Sequence, residues 1–200
     1  MLLEAREISF GYKKGYHILN NISFAAESSE RVGVVAPSGF GKTTLCKILA
    51  GYSKPSNGQV LLDGEDVYGM KGYHPVQMIW QHPETSVNPR LRLKETIAEG
   101  DQIEQRIINA LGIEHDWLNR FPGELSGGEL QRFCIARALG QRTRFLIADE
   151  ISTMLDMITQ AQIWSFLLEE TEKRKLGLIV VTHNTALAEK VCTRMQVLTK

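Results

Sequence analysis

The sequence predicts an α/β protein in which helices cover a mostly parallel β-sheet. Short apolar runs rich in β-branched residues alternate along the 200-residue chain with stretches of helical periodicity, a pattern typical of parallel sheets. Residues 82–125 break this alternation, because they contain no convincing strand and only short helical patterns between proline-containing connections. We therefore expect one domain over residues 1–200, with an α/β core at 1–81 and 126–200 and an inserted helical subdomain at 82–125.

The predicted elements follow from hydrophobic periodicity. The strands, in chain order, are Leu2–Phe10, Ile18–Ala26, Arg31–Ala36, Gln59–Leu62, Val76–Trp80, Arg144–Ala148, Leu178–Thr182 and Arg194–Leu198. A short connection joins the first two as in a hairpin, which predicts an antiparallel β addition near the N-terminus. The helices are Lys42–Gly51, Leu93–Ala98, Gln102–Leu111, Glu129–Leu139, Ile158–Lys175 and Thr185–Val191. We interpret the charged run Glu169–Lys175 as the solvated end of a helix.

Composition and charge are those of a soluble globular protein. Hydrophobic residues make up 43% of the chain, and 23 basic residues balance 23 acidic ones, so there is no basic excess of the kind that favours nucleic-acid binding. No apolar run approaches the roughly 20 residues that cross a bilayer, and the N-terminus lacks the pattern of a signal peptide. We expect any membrane role to depend on a partner. The three widely spaced cysteines, Cys46, Cys134 and Cys192, predict reduced, packed thiols.

A glycine-rich turn lies between the third predicted strand and the first predicted helix. It has the sequence APSGFGKT over residues 36–43, the pattern of a phosphate-binding P-loop with Ala36 in place of the first glycine. Its backbone N–H groups can surround phosphate oxygens, Lys42 supplies positive charge to the β- and γ-phosphates, and Thr43 can ligate Mg²⁺. A plain glycine turn with an exposed lysine is the alternative, which the strand before it and the helix after it disfavour.

Two adjacent carboxylates, Asp149 and Glu150, follow a buried apolar strand. Burying charges is costly, so a bound cation and a catalytic water explain the pair better than packing does. Alternation along a strand sends the two side chains in different directions. We assign Asp149 to the shell of a magnesium ion and Glu150 to the activation of water.

Gln81 and His183 also follow predicted strands, and each alone is more often an ordinary loop residue. Because ligands bind beyond the carboxyl ends of parallel strands, we expect both side chains at the edge that carries Lys42 and Glu150. Glutamine can bind Mg²⁺ or water through its carbonyl oxygen, and histidine can hydrogen-bond a γ-phosphate.

The segment Leu125–Glu129 has the sequence LSGGE and precedes Gln131 and Arg132 on a predicted helix. Ser126 and Glu129 form the pattern of a capping box, which by itself indicates only that a helix begins. The consecutive glycines Gly127 and Gly128 are unusual for a simple cap, and they leave backbone N–H groups and a helix N-terminus open to an anion.

With this ordered set of motifs the chain resembles the ATP-binding cassette (ABC) family over almost its whole length. The resemblance implies roles for the P-loop, for a Q-loop at Gln81, for a signature motif at Leu125–Glu129, for a D-loop aspartate at Asp156 and for a switch histidine at His183. It also implies that Tyr12 stacks on adenine, although Tyr16 is a competing candidate. The cofactors implied are ATP and Mg²⁺. The phosphates would be held by Ser38, Gly39, Gly41, Lys42, Thr43 and Thr44, and magnesium by Thr43, Gln81 and Asp149.

A narrower resemblance points to ATP-binding subunits of oligopeptide, dipeptide and nickel importers. It lies in the segment Gln81–Arg90 and in the lead-in Arg120–Ser126. The sequence departs from this branch where Ile151 and Ser152 replace the usual Pro-Thr, where the helical insert is shorter near Gly100, and where the chain ends at Lys200.

Family membership implies a head-to-tail pair of cassettes in which Ser126, Gly127 and Gly128 act on the partner's nucleotide. It further implies transmembrane permease subunits, a peripheral position on the cytoplasmic face of the membrane, and a permease contact that includes His82–Arg90. We expect an ATPase that drives import of a small peptide, a metal ion or a metal chelate. The alternatives are a cassette acting on nucleic acid or ribosomes and a non-hydrolysing regulatory cassette. The zero net charge disfavours the first, and the presence of Lys42, Glu150 and His183 disfavours the second.

Overall fold

The structure, a computed structural model, describes residues 1–13, 16–37, 39–153 and 155–198. The strands are β1 (Leu2–Phe10), β2 (Leu19–Glu27), β3 (Arg31–Val35), β4 (Asn57–Leu62), β5 (Glu65–Asp66), β6 (Val76–Ile79), β7 (Phe145–Asp149), β8 (Gly177–Val181) and β9 (Arg194–Val197). The α-helices are α1 (Lys42–Leu49), α2 (Leu93–Ala98), α3 (Gln105–Ala110), α4 (Gly127–Ala138), α5 (Met157–Arg174) and α6 (Thr185–Val191). Short 3₁₀ helices cover Val67–Gly69, Pro83–Thr85, His115–Asn119 and Pro122–Glu124.

A five-stranded parallel sheet with the order β6-β7-β8-β3-β9 forms the centre of the molecule. Every residue of β7 and β8 is buried, as expected for strands that are covered on both faces. Because all five strands run in one direction, their carboxyl ends lie at the same edge of the sheet. The residues that follow β3, β6, β7 and β8 therefore lie at that edge.

The antiparallel addition predicted near the N-terminus is confirmed, and it forms a sheet of its own. Its order is β2-β1-β4-β5, and each neighbouring pair is antiparallel. The strand β4 belongs to this sheet, and the two-residue β5, which is too short to give a periodic pattern, completes it. The register between β1 and β2 shifts after Ala5, close to Glu7, whose φ is positive.

Two apolar clusters make up the core. One lies between the antiparallel sheet, α1 and one face of the parallel sheet, and it includes Phe24, Leu45 and Phe145. The other lies between the opposite face of the parallel sheet, the helices α4 and α5 and the segment 82–125, and it includes Phe133 and Leu146. The parallel sheet is thus the middle of three layers, and the edge with the strand ends is left for chemistry.

The segment 82–125 contains helices and no strand in its described structure, as the sequence predicts. Its helix α2 packs on α4. Helix α3 begins at Gln105 rather than at Gln102, because Gln102 is held in the preceding turn, where its carbonyl accepts a hydrogen bond from the Gln141 N–H. None of the helices in the described ranges combines the length and the apolar character needed to cross a membrane.

The interpretation of Glu169–Lys175 as the solvated end of a helix agrees with the exposed residues Glu169, Glu172, Lys173 and Lys175, but it is wrong for Glu170. Glu170 on α5 is buried, and its carboxylate accepts two hydrogen bonds from the Arg106 guanidinium, at 2.6 and 2.8 Å. Arg174, one turn further on, lies 3.6 Å from the same carboxylate and donates to the carbonyl oxygens of Leu139 and Gly140. The charges of this run therefore attach α3 and the end of α4 to the core, because a buried carboxylate needs charged partners.

Candidate functional site

The site is built at the carboxyl edge of the parallel sheet, and the turn between β3 and α1 is its first part. Gly39 and Gly41 have φ values of 75° and 96°, in the left-handed region that favours glycine. A Cβ atom on Gly41 would also lie 2.7 Å from the Ile18 side chain, so a larger residue does not fit there. Ala36 is not among the described non-glycine residues with positive φ, so alanine is compatible with this turn. Ser38 lies outside the described residues.

Lys42 points back into this turn. Its side chain is buried, and the Nζ donates hydrogen bonds to the carbonyl oxygens of Ala36 at 2.9 Å and Pro37 at 3.3 Å. A buried ammonium held by two neutral carbonyls lacks an anionic partner in these contacts. Because α1 begins at Lys42, the amino-terminal end of that helix adds further positive potential. The turn therefore offers a place for a phosphate group.

Asp149, the last residue of β7, is 2% exposed. Burial raises the pKa of its carboxyl, the neighbouring Glu150 carboxylate raises it further, and a hydrogen bond from the Thr43 side chain acts against both. Its Oδ1 has no hydrogen-bond partner among the described residues. A divalent cation would satisfy this buried oxygen and favour the ionised carboxylate. The hydroxyl of Thr43, the carboxylate of Asp149 and the amide oxygen of Gln81 are the hard oxygen ligands that Mg²⁺ prefers, so the residues fit the ion.

Glu150 stands just past β7 with a φ of 52°, which is uncommon for a residue with a side chain. Its N–H donates to the Val181 carbonyl at 2.9 Å, and its own carbonyl accepts from the Thr153 N–H and hydroxyl. Such strain costs on the order of 1–3 kcal/mol and persists where the surroundings enforce it. These contacts hold the Glu150 side chain away from that of Asp149, towards a different set of partners.

The partners of the Glu150 carboxylate are Gln81 and His183. The Gln81 Nε2 donates to Oε2 at 3.2 Å, and the His183 Nε2 lies 2.6 Å from Oε1. Three residues that follow three separate strands thus meet, as their positions in the sequence predict. The imidazole is more than half exposed, whereas the carboxylate is mostly buried. A carboxylate held between an amide and an imidazole, beside a phosphate-binding turn, can accept a proton from water.

Tyr12 lies beside the start of α1. Its hydroxyl is 3.5 Å from the Thr44 Oγ1, and its ring packs edge to face on Phe10, with ring centroids 5.0 Å apart. The ring is 61% exposed, so it presents a flat aromatic surface near the phosphate-binding turn. Tyr16, the competing candidate, is exposed as well and bridges to Lys13 through the backbone. The contact with Thr44 makes Tyr12 the better placed of the two for a base joined to those phosphates.

The predicted capping box at the start of α4 is confirmed. The Ser126 Oγ accepts from the Glu129 N–H at 3.3 Å, and Glu129 accepts from the Ser126 N–H at 2.7 Å. The latter bond lowers the pKa of the Glu129 carboxyl. A cavity of about 600 Å³ adjoins this cap, and it is lined by both glycines of the motif, by Arg132 and by Asp156. Its lining includes none of the described residues of the phosphate-binding turn, so the two sites are separate on one chain.

A polar contact between α4 and β6 was not expected from the sequence. Gln131 is buried on α4, and its Nε2 donates to the Trp80 carbonyl at 3.2 Å, one residue before Gln81. The one sign of this contact in the sequence is that Gln131 stands among the apolar residues of the buried face of α4. A groove of about 450 Å³ opens nearby, and its lining includes Tyr52, Trp80, Ser86 and Arg137.

Comparison with known proteins places the chain among transport ATP-binding proteins. The family model described as "ABC transporter" matches residues 19–153. A probable peptide ABC transporter ATP-binding protein of Sinorhizobium fredii is 31% identical over 90% of this chain, which spans 56% of that relative. The nickel import system ATP-binding protein NikE of Staphylococcus aureus is 30% identical over 98% of this chain and 86% of its own length. Among solved structures, the fold is similar to the dimeric ATP-binding cassette MJ0796 bound to ADP and Pi, with a TM-score of 0.84, 24% identity and coverage of 98% of this chain and 94% of that one.

Proposed function

This chain belongs to the ABC transporter family as an ATP-binding cassette, and we propose from that membership that it hydrolyses Mg-ATP to drive import through permease subunits. One observation supports hydrolysis most directly, namely that the Glu150 carboxylate lies between Gln81 and His183 at the edge that carries the phosphate-binding turn. The chain spans just over half of one relative and most of another, so the reaction and cargo of a whole transporter are part of the proposal.

We assign binding of ATP to the turn and to the residues around it. Tyr12 stacks on adenine. The phosphates are held by Ser38, Gly39, Gly41, Lys42, Thr43 and Thr44. The Lys42 ammonium exchanges its contacts with the Ala36 and Pro37 carbonyls for the β- and γ-phosphates, which are stronger, charged acceptors. Mg²⁺, when bound by Thr43, Gln81 and Asp149, offsets phosphate charge.

Hydrolysis then requires a base and a means of orienting water. The oxygen of water attacks the γ-phosphorus, the bond from that phosphorus to the β–γ bridging oxygen breaks, and ADP leaves. Glu150 accepts the proton that the water gives up. The Gln81 amide and the His183 imidazole fix the orientation of that carboxylate, and His183 also recognises the γ-phosphate.

The cargo assignment depends on the relatives, which are named for peptide and for nickel import. We propose a small peptide, a metal ion or a metal chelate. The nucleic-acid alternative has no support from these relatives, and the net charge of zero disfavours it. A non-hydrolysing role is disfavoured because the lysine, the carboxylate and the imidazole of the site are all present.

We propose a second cassette, either a copy of this chain or a related one, as the first partner. The cavity beside Ser126 contains no described residue of the phosphate-binding turn, which supports the proposal that one chain's signature motif meets the nucleotide of another. Next to that cavity, α5 begins with Met157 and Ile158, which are 85% and 73% exposed. Such adjacent exposed apolar side chains favour an interface, here a head-to-tail pair. Permease subunits would hold the pair at the cytoplasmic face of the membrane.

Assembly gives the first test of this function. The specific ATPase rate should rise with protein concentration, because an isolated chain lacks the partner's signature motif and dimerisation follows mass action. Mg-ATP should drive the Glu150→Gln variant into a dimer, since unhydrolysed nucleotide joins the two chains. Size-exclusion chromatography with light scattering, with and without Mg-ATP, measures the oligomeric state directly. The rate of phosphate release is measured as a function of protein concentration in parallel.

A second substitution in that background locates the interface. Ser126→Arg adds bulk and charge to the cavity beside Ser126 and should remove the ATP-dependent dimer. The matched change Ser165→Arg, on the exposed face of α5, should leave the dimer intact. A rate that does not depend on concentration, from a chain that stays monomeric with Mg-ATP both alone and with a related cassette added, would show that the paired arrangement is wrong.

The segment after Gln81 gives a test of the permease contact. Arg90 is exposed in a turn, and its backbone N–H is held by Asn88 at 3.0 Å. Arg90→Glu should lower uptake of radiolabelled nickel or tripeptide by the assembled transporter about tenfold, the equivalent of ~1.4 kcal/mol of docking free energy. Basal ATPase activity should stay near the wild-type value. Arg6→Glu, a charge reversal on an exposed residue of the antiparallel sheet, is the control. Equal loss of uptake and ATPase activity would instead assign Arg90 to folding or to the nucleotide site.

A further inference from the structure

Gln131 is a buried polar residue on α4 that the reaction described above does not use. It is 2% exposed, and it lies five residues beyond Ser126 on the same helix. Its Nε2 donates to the Trp80 carbonyl at 3.2 Å, while its Oε1 is buried with no partner among the described residues. A methionine would fill this volume without the unpaired buried Oε1 that the glutamine carries, so packing alone does not account for a glutamine.

The position of the Trp80 carbonyl gives Gln131 its significance. Trp80 is the residue directly before Gln81, whose side chain donates to the Glu150 carboxylate at 3.2 Å. One hydrogen bond therefore joins α4 to the backbone before Gln81, and a second joins the Gln81 side chain to the base. Helix α4 is thus connected to Glu150, the residue after β7, through the two consecutive residues Trp80 and Gln81.

Helix α4 also holds the chain on the other side of Gln81. The Arg137 Nη2 donates to the Ser86 carbonyl at 2.7 Å, and the Cys134 Sγ lies 3.9 Å from the Pro83 carbonyl. The backbone on both flanks of Gln81 is thus attached to one helix. Since a helix is stiff and a hydrogen bond weakens steeply with distance, a small displacement of α4 changes where the Gln81 amide lies.

We propose that Gln131 is a positioning residue, which couples the signature end of α4 to the Gln81 amide and so to Glu150. This inference depends on the proposed function, because it concerns the alignment of the base for ATP hydrolysis. When a nucleotide bound by the partner contacts Ser126, α4 shifts together with the hydrogen bonds that it makes to Ser86 and Pro83. The hydrogen bond of Gln131 then moves Trp80, the residue before Gln81. The base is then aligned only when the signature motif is engaged.

Steady-state kinetics with Mg-ATP tests the proposal. Gln131→Met keeps the volume and removes the donated hydrogen bond, so kcat should fall about tenfold while KM for ATP changes less than about twofold. Gln131→Leu, which also has no donor for the Trp80 carbonyl and adds no buried charge, should show the same pattern and serves if the methionine variant folds poorly. Thr96→Val is the matched control, since Thr96 is a buried residue of α2 whose hydroxyl also lacks a described partner. Its kcat should stay at the wild-type value.

A double-mutant cycle distinguishes action through Gln81 from a general loss of structure. The variant with both Gln81→Ala and Gln131→Met should be no slower than Gln81→Ala alone, because the second change acts through a side chain that is already absent. The proposal would be overturned if the loss of kcat in the double variant were the product of the losses in the two single variants, or if Gln131→Met left kcat unchanged. Absence of ATPase activity in the wild-type chain both alone, at any concentration, and in the assembled transporter would instead overturn the proposed function.

A measurement without nucleotide gives an independent readout. Trp80 is partly exposed, whereas Trp117 and Trp164 are buried, so the fraction of fluorescence that acrylamide quenches reports on Trp80. Gln131→Met should increase that quenching constant about twofold, because the residue before Gln81 loses its attachment to α4. Thr96→Val should not change it. Equal quenching in the wild-type protein and in Gln131→Met would show that Gln131 does not hold this turn, whatever the kinetics.

Discussion

Glu150→Gln should lower ATPase turnover by about 10²–10⁴-fold and leave ATP affinity near the wild-type value, the result expected when a positioned base is removed. Glutamine has the shape of glutamate and can keep contacts with Gln81 and His183, but it cannot accept a proton from water. The backbone contacts to Val181 and Thr153 do not involve the carboxylate, so the strained turn is preserved. The loss therefore reports on chemistry rather than on folding.

Phosphate release at saturating Mg-ATP and calorimetric titration of the nucleotide measure the two effects separately. Glu169→Gln is the control, because Glu169 is an exposed carboxylate on α5 away from the strand ends. Full turnover in the Glu150 variant would transfer the role of base to another group, and His183 would be the first to test.

We expect Lys42→Ala to abolish measurable hydrolysis and to weaken ATP binding by about 10- to 100-fold, since hydrogen bonds from a charged group contribute about 1.5–3 kcal/mol each. The ammonium is buried in the turn, and its present acceptors are two neutral carbonyls, so phosphate oxygens are its better partners. The two carbonyl contacts belong to the nucleotide-free turn and are given up on binding, so their absence in the variant offsets only part of the lost affinity.

Calorimetry with Mg-ATP provides the measurement, and Lys54→Ala provides the control, because Lys54 is exposed and lies over the Tyr68 ring. Thermal unfolding of both variants shows whether the fold is kept. Unchanged ATP affinity in a folded Lys42→Ala protein would exclude the phosphate-binding assignment of the turn.

Most of this architecture could be predicted because apolar periodicity records burial directly. The strands β3, β7 and β8 are covered on both faces, so they appear as continuous apolar runs, and the polar residue after each run marks the sheet edge. That is why Glu150 and His183 could be placed together before their contacts were known, and Gln81 joins them because it follows the mostly buried strand β6. The roles assigned to them remain predictions until the variants are measured.

What could not be predicted are the polar contacts made by side chains far apart in sequence. Glu170 stands in a charged run that has the pattern of a solvated surface, yet Arg106, 64 residues earlier, makes its burial tolerable. Gln131 likewise depends on a backbone carbonyl 51 residues earlier. Neither partner leaves a periodic signal, because a single hydrogen bond depends on tertiary placement and not on local pattern.

The place of β7 and β8 inside the sheet has a consequence for how the site loosens. Opening of local structure begins at edges and termini, and the amides of interior strands exchange with solvent last. Glu150 extends the β7–β8 ladder through its bond to Val181, so its backbone belongs to the slowest-exchanging part of the molecule. Gln81 follows β6, an edge strand, and belongs to a part that opens sooner. Glu150 and the backbone leading to His183, which follows the interior strand β8, therefore keep their places while Gln81 moves, and gradual warming would disorder the Gln81 contact before it disturbs the carboxylate itself.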